Sequence, residues 1–337
     1  MENDESNILY TTSEFINCIC PLKDNKIALG SYRILIFEQK FSNFLFSIEN
    51  KNKEQIYDII QSKRGPIICS ENNIIKVYSI FSNYYNLMFI HKRNNDRIYK
   101  LKELSNGNIA YSTKDSKIFL FHSTFKEINF KYDLENEEVT NFIERTNNQL
   151  ILLCVKIKKS IFQVQQIKNK YAEFTEREYY FYLKTLEKEN ENSQWEIKDK
   201  CKITTIKGYL YFNYLVTNKT LELLINDYLI VAIKSFIYIY HIDDDNNFQY
   251  YTSILFDIGG SIQSICPFDN NIIGIGSKSG IVLFFEKNEL LKRTFVKNKE
   301  RNNVELKDLV KLDEENIIGL KNIDGKQIIN LINKENK

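Results

Sequence analysis

Few residues in this chain are suited to nucleophilic or acid–base chemistry. Only three histidines occur in 337 residues, although nucleophilic triads and most catalytic metal sites use histidine. His122 and His241 both follow an aromatic residue at the end of an apolar run, a repeated position that favours a structural role, and His91 is predicted to lie on the surface. No Ser-His-Asp or Cys-His arrangement can be proposed from these positions. The sequence therefore predicts no catalytic residue.

Two short clusters could in principle bind a metal ion. Cys18 and Cys20 would face the same side of a strand, and Asp243–Asp245 place three carboxylates together. Zinc sites usually supply a second cysteine pair, however, and the acidic cluster lacks the alternating ligands and distant Glu of a calcium loop. Buried thiols and a solvated hairpin turn are the predicted roles. We expect no metal, no cofactor and no small-molecule substrate.

The composition indicates a globular protein without a strong electrostatic field. Hydrophobic residues make up 43% of the chain, and 46 basic residues nearly cancel 44 acidic ones to leave a net charge of +2. This balance argues against nucleic acid or an anionic membrane as the main partner, and no run approaches the ~20 apolar residues of a membrane span. Six cysteines scattered through apolar runs, with a polar, acidic start at Met1–Ser6, predict a cytoplasmic protein, the nucleus being the other compartment considered.

An internal repeat defines the elements that hold these residues. The segment Cys18–Ser31 recurs without gaps as Ser264–Ser277, with matching Cys-Pro and Gly-Ser pairs. Looser copies of the same apolar, turn, apolar unit lie at Ile27, Pro66, Ile109, Leu150, Leu229, Ile273 and Ile318. A period of about 40–45 residues with two-residue alternation is typical of the four-stranded blades of a β-propeller. We therefore predict an all-β propeller that forms a single domain over residues 1–337.

The number of blades depends on the long interval between Leu150 and Leu229. An aromatic residue closes the third strand of the blades at Phe37, Tyr78, Phe121, Tyr182, Tyr240 and Phe285. Two successive steps of this series each exceed the period by roughly 15–20 residues, which favours insertions around blade four over an extra blade. We predict seven blades, with eight as the alternative.

The two ends of the chain predict how the ring closes. Strands expected near Glu305–Lys311, Ile317–Leu320 and Gln327–Ile332 leave the last blade one strand short. Residues Asn7–Thr12, which precede the first blade, can supply that strand. Closure removes the exposed sheet edges of an open ring.

This arrangement resembles the WD-repeat propellers over nearly the whole chain. At the position of the family's Trp-Asp pair stand Phe37-Glu38, Tyr78-Ser79, Phe121-His122, Tyr240-His241 and Phe285-Glu286, and no Gly-His dipeptide occurs. An aromatic ring can still fill the space between blades. The resemblance implies a rigid ring that binds other proteins.

The excess length falls in two insertions near residues 156–177 and 204–219. Connections between propeller strands are usually only a few residues long, and in a WD-like propeller these two emerge on the same face. Exposed aromatic residues with flanking cations are common in protein-binding surfaces. The candidate partner-binding residues are Lys158, Lys159, Phe162, Tyr171, Phe174, Tyr209, Tyr211 and Phe212. Alternatively, Ser160–Ile167 and Tyr209–Val216 extend the blades as hairpins.

The leading functional interpretation is a non-enzymatic scaffold or adaptor within a larger protein complex, on the basis of the family resemblance. An RNA-binding propeller that uses the same insertions is the alternative, which the charge balance disfavours. A hydrolase centred on the channel is a third possibility. It is disfavoured because no repeated acid is evident at the start of the inner strands.

Overall fold

The structure is a computed structural model. It describes residues 8–39, 41, 43–50, 52–81, 84–92, 97–113, 117–121, 127–133, 137–146, 148–167, 170–189, 195–208, 221–223, 227–258, 260–268, 271–297, 305–313, 316–323 and 326–333. For residues 157–177 this description covers the backbone and not the side chains.

The described chain consists almost entirely of β-strands. The first four-stranded unit follows an N-terminal strand: β1 (Ile8–Thr12), β2 (Cys18–Leu22), β3 (Lys26–Gly30), β4 (Arg33–Glu38) and β5 (Phe44–Glu49). The second and third units are β6 (Ile56–Gln61), β7 (Ile67–Glu71), β8 (Ile74–Ile80), β9 (Tyr85–Lys92), β10 (Ile98–Glu103), β11 (Ile109–Thr113), β12 (Lys117–Phe121) and β13 (Glu127–Asp133). The fourth and fifth are β14 (Glu138–Thr146), β15 (Gln149–Ile167), β16 (Lys170–Glu187), β17 (Glu196–Gly208), β18 (Leu221–Leu223), β19 (Tyr228–Ile233), β20 (Phe236–Ile242) and β21 (Phe248–Asp257). The last are β22 (Ile262–Pro267), β23 (Ile272–Ser277), β24 (Val282–Glu286), α1 (Lys287–Leu290), β25 (Phe295–Lys297), β26 (Glu305–Lys311), β27 (Asn316–Ile323) and β28 (Lys326–Asn333).

These strands form seven sheets, one for each blade of a β-propeller, and the strands within each blade pair antiparallel. Each predicted repeat position lies in or next to the second strand of a blade, from Ile27 in β3 to Ile318 in β27. Blades one to five begin at β2, β6, β10, β14 and β18, and blades six and seven begin at β22 and β26. The prediction of seven blades is confirmed, because the long interval after Leu150 contains one enlarged blade.

The N-terminal strand completes blade seven, as predicted from the two ends of the chain. β1 pairs antiparallel with β28, from Ile8 opposite Asn330 to Thr12 opposite Gln327. Leu9 and Tyr10 pack against the core between blades seven and one. The first and last parts of the propeller are therefore joined in one sheet.

The core is divided into seven apolar clusters, one at each junction between neighbouring blades. The aromatic residues that close the third strands lie at these junctions: Phe37, Tyr78, Phe121, Tyr240 and Phe285 are buried, and Tyr182 is partly buried. Each ring packs between its own blade and the preceding one. They thus occupy the place that the WD-repeat resemblance assigned to them.

Hydrogen bonds at both ends of the inner strands also join neighbouring blades. At one end, the first inner-strand amides donate to the preceding blade's middle turn: Ile56 to Ser31 (2.7 Å), Ile98 to Asn72 (2.7 Å), Ile262 to Lys234 (2.7 Å) and Leu306 to Lys278 (3.1 Å). At the other end, inner-strand side chains accept from backbone amides of the preceding blade: Gln61 from Lys23 (2.6 Å), Glu103 from Lys63 (2.6 Å) and Glu144 from Ser105 (2.7 Å). Because these contacts recur between successive blades, polar residues recur in the turns with the period of the blades.

The repeated Gly-Ser pair is explained by the close approach of the next blade. A Cβ atom on Gly30 would overlap Cys18 of its own blade and lie 3.0 Å from Ile56 and Ile59, and one on Gly276 would overlap Leu306 and lie 2.8 Å from Leu309. The isoleucines and leucines belong to the inner strand of the following blade. The glycine therefore sets the distance between blades.

We expect Gly276→Ala to lower the free energy of unfolding by about 1–3 kcal/mol, because a methyl group must displace Leu306 and Leu309 in a packed core. Chemical denaturation measures the change. Gly274→Ala is the matched control in the same strand, since the one tight contact of its Cβ would be the end of the flexible Ile317 side chain, at 3.1 Å, and its other neighbours, at 3.5 and 3.6 Å, are at ordinary contact distance. Equal stability of the Gly276 variant and the parent would contradict this explanation.

Blade six departs from the expected four-stranded pattern. Its sheet contains β22, β23 and β24 among the described residues, and β25 pairs instead in parallel with β21 of blade five, Leu255 opposite Phe295. The short helix α1 follows β24 directly, and its Leu290 is buried between blades five and six. This burial directs the chain back toward blade five before the next strand forms.

No helix in the described part of the chain has the length and apolar character required to cross a bilayer.

Candidate functional site

Blade four contains a long hairpin that its neighbours do not match. β15 and β16 pair continuously from Gln149 opposite Glu187 to Ile167 opposite Lys170. Within the described residues, the inner strand β14 pairs with β15 as far as Val155, and the outer strand β17 pairs with β16 as far as Arg177. The distal hairpin, which we define as residues 157–177, therefore continues beyond the described parts of both flanking strands: residues 161–167 of β15 extend past them by about 23 Å at the usual rise per residue.

The backbone register shows how the predicted residues are distributed in the distal hairpin. Lys158 falls at an irregularity in the pairing, Lys159 lies opposite Glu178, and Phe162 lies opposite Thr175. Tyr171 is opposite Gln166, and Phe174 is opposite Gln163.

Because strand residues alternate between faces, this register places Phe162 and Tyr171 on one face of the hairpin. It places Lys159 and Phe174 on the other. The five residues of the first insertion therefore do not form one continuous surface.

The second insertion is described only in part. Thr204–Gly208 belong to β17 and pair with β16, so that this segment lies beside the base of the distal hairpin. The candidates Tyr209, Tyr211 and Phe212 lie outside the described residues. Ser160–Ile167 form part of β15 and extend the blade as a hairpin.

The base of the distal hairpin carries stacked aromatic and cationic side chains that the sequence analysis did not single out. The Lys200 ammonium lies 4.3 Å from the ring centre of Tyr182, and the Lys202 ammonium lies 4.5 Å from that of Tyr180. The two tyrosine rings are stacked, 6.5 Å apart. The signal was present as Tyr-x-Tyr on one strand and Lys-x-Lys on the next, but only the register of β16 and β17 brings the pairs together.

A buried carboxylate anchors this base. Glu137 accepts from the ammonium groups of Lys184, at 2.5 Å, and Lys200, at 2.9 Å. Burial raises the pKa of the Glu137 carboxyl, but hydrogen bonds from Lys184 and Lys200 and their charges lower it by more, so that its pKa lies below the ordinary value. Lys200 therefore connects the buried ion pair to the aromatic surface.

The inner strands enclose a cavity of about 410 Å³ in the central channel. Inner strands of blades two, three, four, six and seven line it, and its charged residues are Lys100, Lys102, Glu103 and Lys311. Glu103 is engaged by the Ser62 hydroxyl, at 2.9 Å, and by the Lys63 amide. Within the described residues, no group of three or more His, Cys, Asp or Glu side chains is placed to hold a metal ion.

Two inner strands carry an acid at an equivalent position near their start, contrary to the expectation that no acid repeats there. Asp58 and Asp308 occupy the same position, directly after a pairing irregularity in β6 and β26. Asp58 accepts from the Leu101 amide at 2.9 Å, and Asp308 accepts from the Leu309 amide at 2.8 Å. Both carboxylates therefore support the backbone of the ring. The thiol of Cys18 between them has a raised pKa, chiefly through burial and then through Asp58.

The histidines contribute to packing where they are described. His91, which was predicted to lie on the surface, is partly exposed, and its ring packs edge-on against Phe121 of blade three, 4.6 Å between centres. His241 stacks edge-on against Tyr228 at 5.1 Å. His122 lies outside the described residues.

Comparison with known proteins shows similarity of fold without similarity of sequence. No protein-family model and no curated protein sequence matches the chain. The β-propeller domain of Cps50 (Swd1) from Myceliophteria thermophila is similar over 96% of this chain and 98% of its own, with a TM-score of 0.64 and 11% identity. Sqt1 from Saccharomyces cerevisiae is similar over 97% and 99%, with a TM-score of 0.60 and 10% identity.

BamB from Moraxella catarrhalis is similar over 97% of this chain and 86% of its own, with a TM-score of 0.59 and 10% identity. Swd1 and Sqt1 are WD-repeat propellers, so the resemblance inferred from the repeat is confirmed for the fold. Identities this low carry no further argument about activity or partners.

Proposed function

We propose that this chain, a seven-bladed propeller with a WD-like fold, is a non-enzymatic scaffold that binds another protein through the distal hairpin of blade four. The observation that carries the proposal is the continuation of β15 and β16 beyond the described parts of β14 and β17. A partner protein in a larger complex is the expected ligand. We also propose a cytoplasmic location, because all six cysteines are free and five of them are buried.

The hairpin supports this function through its backbone as well as its residues. Within the described residues, β15 has no second neighbour beyond Val155, and β16 has none before Arg177. Such edges present unpaired amide and carbonyl groups, which an extended segment of another protein can pair with. The tyrosine and lysine pairs at the base add a surface of the kind found in protein interfaces.

Replacement of residues 158–177 by Asn-Gly is expected to abolish partner capture from native extract while the melting temperature changes little. Among the described side chains, the apolar cluster of this blade extends to Val155 and Tyr179, both of which the replacement retains, and Asn-Gly suits a tight hairpin turn. Affinity capture with mass spectrometry, alongside thermal denaturation by circular dichroism, measures both quantities. Capture of the same partners by the shortened chain would refute the proposal.

Face-specific variants sharpen the experiment without shortening the chain. Phe162→Ser with Tyr171→Ser alters one face of the distal hairpin, and Lys159→Ser with Phe174→Ser alters the other. We expect one pair to weaken capture at least about tenfold and the other to have a small effect, because a rigid strand offers one face to a docked surface.

A salt titration separates protein binding from the RNA-binding alternative. Phosphate contacts predict a steep loss of affinity as salt rises. Lys200 is already engaged by Glu137 and Tyr182, which reduces the positive charge available at the base. We therefore expect weak RNA binding that does not change when residues 158–177 are replaced.

A further inference from the structure

The charged side chains around the cavity of the central channel are unevenly balanced. Those that line it are Lys100, Lys102, Glu103 and Lys311. One carboxylate oxygen of Glu103 accepts from the Ser62 hydroxyl at 2.9 Å, and the other accepts from the Lys63 amide at 2.6 Å. This acid is thus engaged by blade two on both oxygens, and the described lining carries an excess of positive charge.

The pairing register places Lys102 at an otherwise apolar level of the channel. Lys102 lies opposite Ala110 in the second strand of blade three. The equivalent residues of the other inner strands that line the cavity are Ile60, Ile143, Cys266 and Val310. Among the described residues, the wall at this level therefore offers apolar surface beside one ammonium group. Such a wall suits a ligand with an apolar body and a charged end.

Two residues further into the channel, hydrogen-bond donors replace acceptors on blades three and four. Asp58 and Asp308 follow the pairing irregularity of the inner strand in blades two and seven. Lys100 and Asn141 hold the same position in blades three and four. A carboxylate only accepts hydrogen bonds, whereas an ammonium group and an amide NH₂ donate them. The side of the cavity at blades three and four is therefore suited to an anion.

Asn141 supplies a buried donor in this wall. It lines the cavity, is only 2% exposed, and its side-chain oxygen accepts from the Phe142 amide at 2.9 Å. In the described part of the chain, its side-chain NH₂ has no hydrogen-bond acceptor. A ligand that enters must supply an acceptor at this point, because a buried donor left without one destabilises the complex.

The carboxylates near this level are held by the backbone and lie outside the cavity lining. Asp58 accepts from the Leu101 amide at 2.9 Å, and Asp308 accepts from the Leu309 amide at 2.8 Å. Glu144 accepts from a backbone amide of blade three at 2.7 Å. An ammonium group carries three N–H donors, so a lining lysine that contacts another residue of the chain retains donors for a ligand.

We propose that this cavity binds a small organic anion with an apolar body and one carboxylate group. The carboxylate contacts Lys100, Lys102 and Asn141, and the apolar body lies along the wall that contains Ile60 and Ile143. The volume of about 410 Å³ falls within the range of about 300–1,000 Å³ of small-molecule sites. An inorganic anion leaves the apolar wall uncovered, and an uncharged hydrocarbon leaves the donors unpaired. This inference is independent of the distal hairpin.

Octanoate, octanamide and octylammonium test the class of ligand, because they share one chain length and differ in the charge of the end group. Isothermal titration calorimetry of the full chain with each probe provides the measurement. We expect saturable binding of octanoate at one site. Octanamide is expected to bind at least about tenfold more weakly, because charge-assisted hydrogen bonds are lost, and octylammonium is expected not to saturate.

Two variants test the position of the carboxylate. Lys102→Met removes the ammonium group and is expected to weaken octanoate binding about tenfold or more while octanamide binding stays almost unchanged. Asn141→Asp places a like charge beside the carboxylate and is expected to have a similar effect on octanoate. Aspartate suits this position, since Asp58 and Asp308 also accept from the amide of the next residue, at 3.1 and 2.8 Å.

Lys198→Met is the matched control, because Lys198 lies on the outer strand of blade four with its side chain 43% exposed. It is expected to bind octanoate as the parent chain does. Failure of octanoate to saturate, equal affinity for octanoate and octylammonium, octanoate binding that survives both cavity variants, or an equal loss in the control would each overturn the inference. Circular dichroism identifies the folded variants; if Lys102→Met does not fold, Asn141→Asp and the three probes on the parent chain decide the outcome.

Discussion

Removal of residues 1–12 is expected to destabilise the whole propeller and lower its free energy of unfolding by about 5 kcal/mol or more. The segment supplies β1, the fourth strand of blade seven. Backbone hydrogen bonds contribute about 0.5–1.5 kcal/mol each, and burial of a large side chain contributes about 1.5–3 kcal/mol. Leu9 and Tyr10 are both packed on the core. The total stability of a domain is about 5–15 kcal/mol, so this loss is severe.

The Tyr10 side chain is expected to account for much of this loss in the free energy of unfolding. Its ring lies 4.8 Å from Phe37 and 5.9 Å from Phe41, both in blade one, while its backbone pairs with blade seven. The strand therefore joins the first and last blades through side chains and backbone together. Tyr10→Ala is expected to produce an intermediate loss of about 2–3 kcal/mol.

Thermal and chemical denaturation measure both changes. Truncation of residues 1–6, which leaves β1 complete, is the control and is expected to melt with the full chain. If the chain lacking residues 1–12 melted at the same temperature as the full chain, closure by β1 would not contribute to stability.

Glu137→Gln is expected to lower the free energy of unfolding by about 3–5 kcal/mol, because it leaves the buried Lys184 ammonium without its counter-charge. Both side chains are almost completely buried. Equilibrium denaturation in urea at neutral pH provides the measurement. Glu196→Gln is the matched control in the same blade: the Lys198–Glu196 pair is exposed, and exposed pairs contribute about 0–1 kcal/mol.

The cost of Glu137→Gln is also expected to depend on pH. The pKa of Glu137 is lower in the folded chain than in the unfolded one, so its contribution is present above the ordinary carboxyl pKa of about 4.3 and is lost as pH falls through the folded-state value. The difference between parent and variant is therefore expected to shrink as pH is lowered from about 7 toward about 4.

Glu71 provides a comparison of opposite sign. Burial raises its pKa although the Lys76 ammonium lies 2.6 Å away. A carboxyl whose folded-state pKa is raised gains stability relative to its Gln variant as pH falls through that value. The difference in free energy of unfolding between parent and variant should therefore change with pH in opposite directions for Glu71→Gln and Glu137→Gln. A change in the same direction for both variants would contradict the opposite pKa shifts of the two carboxyls.

The repeat was readable because each blade buries the same two strands. The second strand carries an apolar run, as at Ile27 and Ile318, and the third ends in an aromatic residue, as at Phe37 and Phe285. Both patterns arise from burial between blades, which recurs at every junction. The missing strand of blade seven followed from the same count, since β1 is the segment that precedes the first repeat.

Features that depend on neighbours distant in sequence were not predictable in the same way. β25 is only three residues long, and its parallel pairing with β21 depends on burial of Leu290 in α1. The buried contact of Glu137 with Lys184 joins the residue that precedes β14 to β16. Nothing in the local pattern distinguishes such a pair from surface charges.

The candidate binding surfaces were also predictable from the sequence only in part. The first insertion was visible as excess length, but the register of β15 and β16 decided that Phe162 and Tyr171 lie on a different face from Lys159 and Phe174. A one-residue shift in pairing exchanges the faces of a strand. The apolar run of β9 resembles a buried strand, and its exposure depends on how blades one and three cover it.

The repeat pattern alone predicted seven blades and closure by an N-terminal strand, because burial against neighbouring blades imposes the same residue types at every turn of the ring. Pairing register and the packing of distant segments decided which surfaces remain open. Within the described residues, the distal hairpin extends past the ends of β14 and β17, and Leu87, Met88 and Ile90 are exposed because no described strand covers β9. Both depend on where other strands end, which no local pattern records.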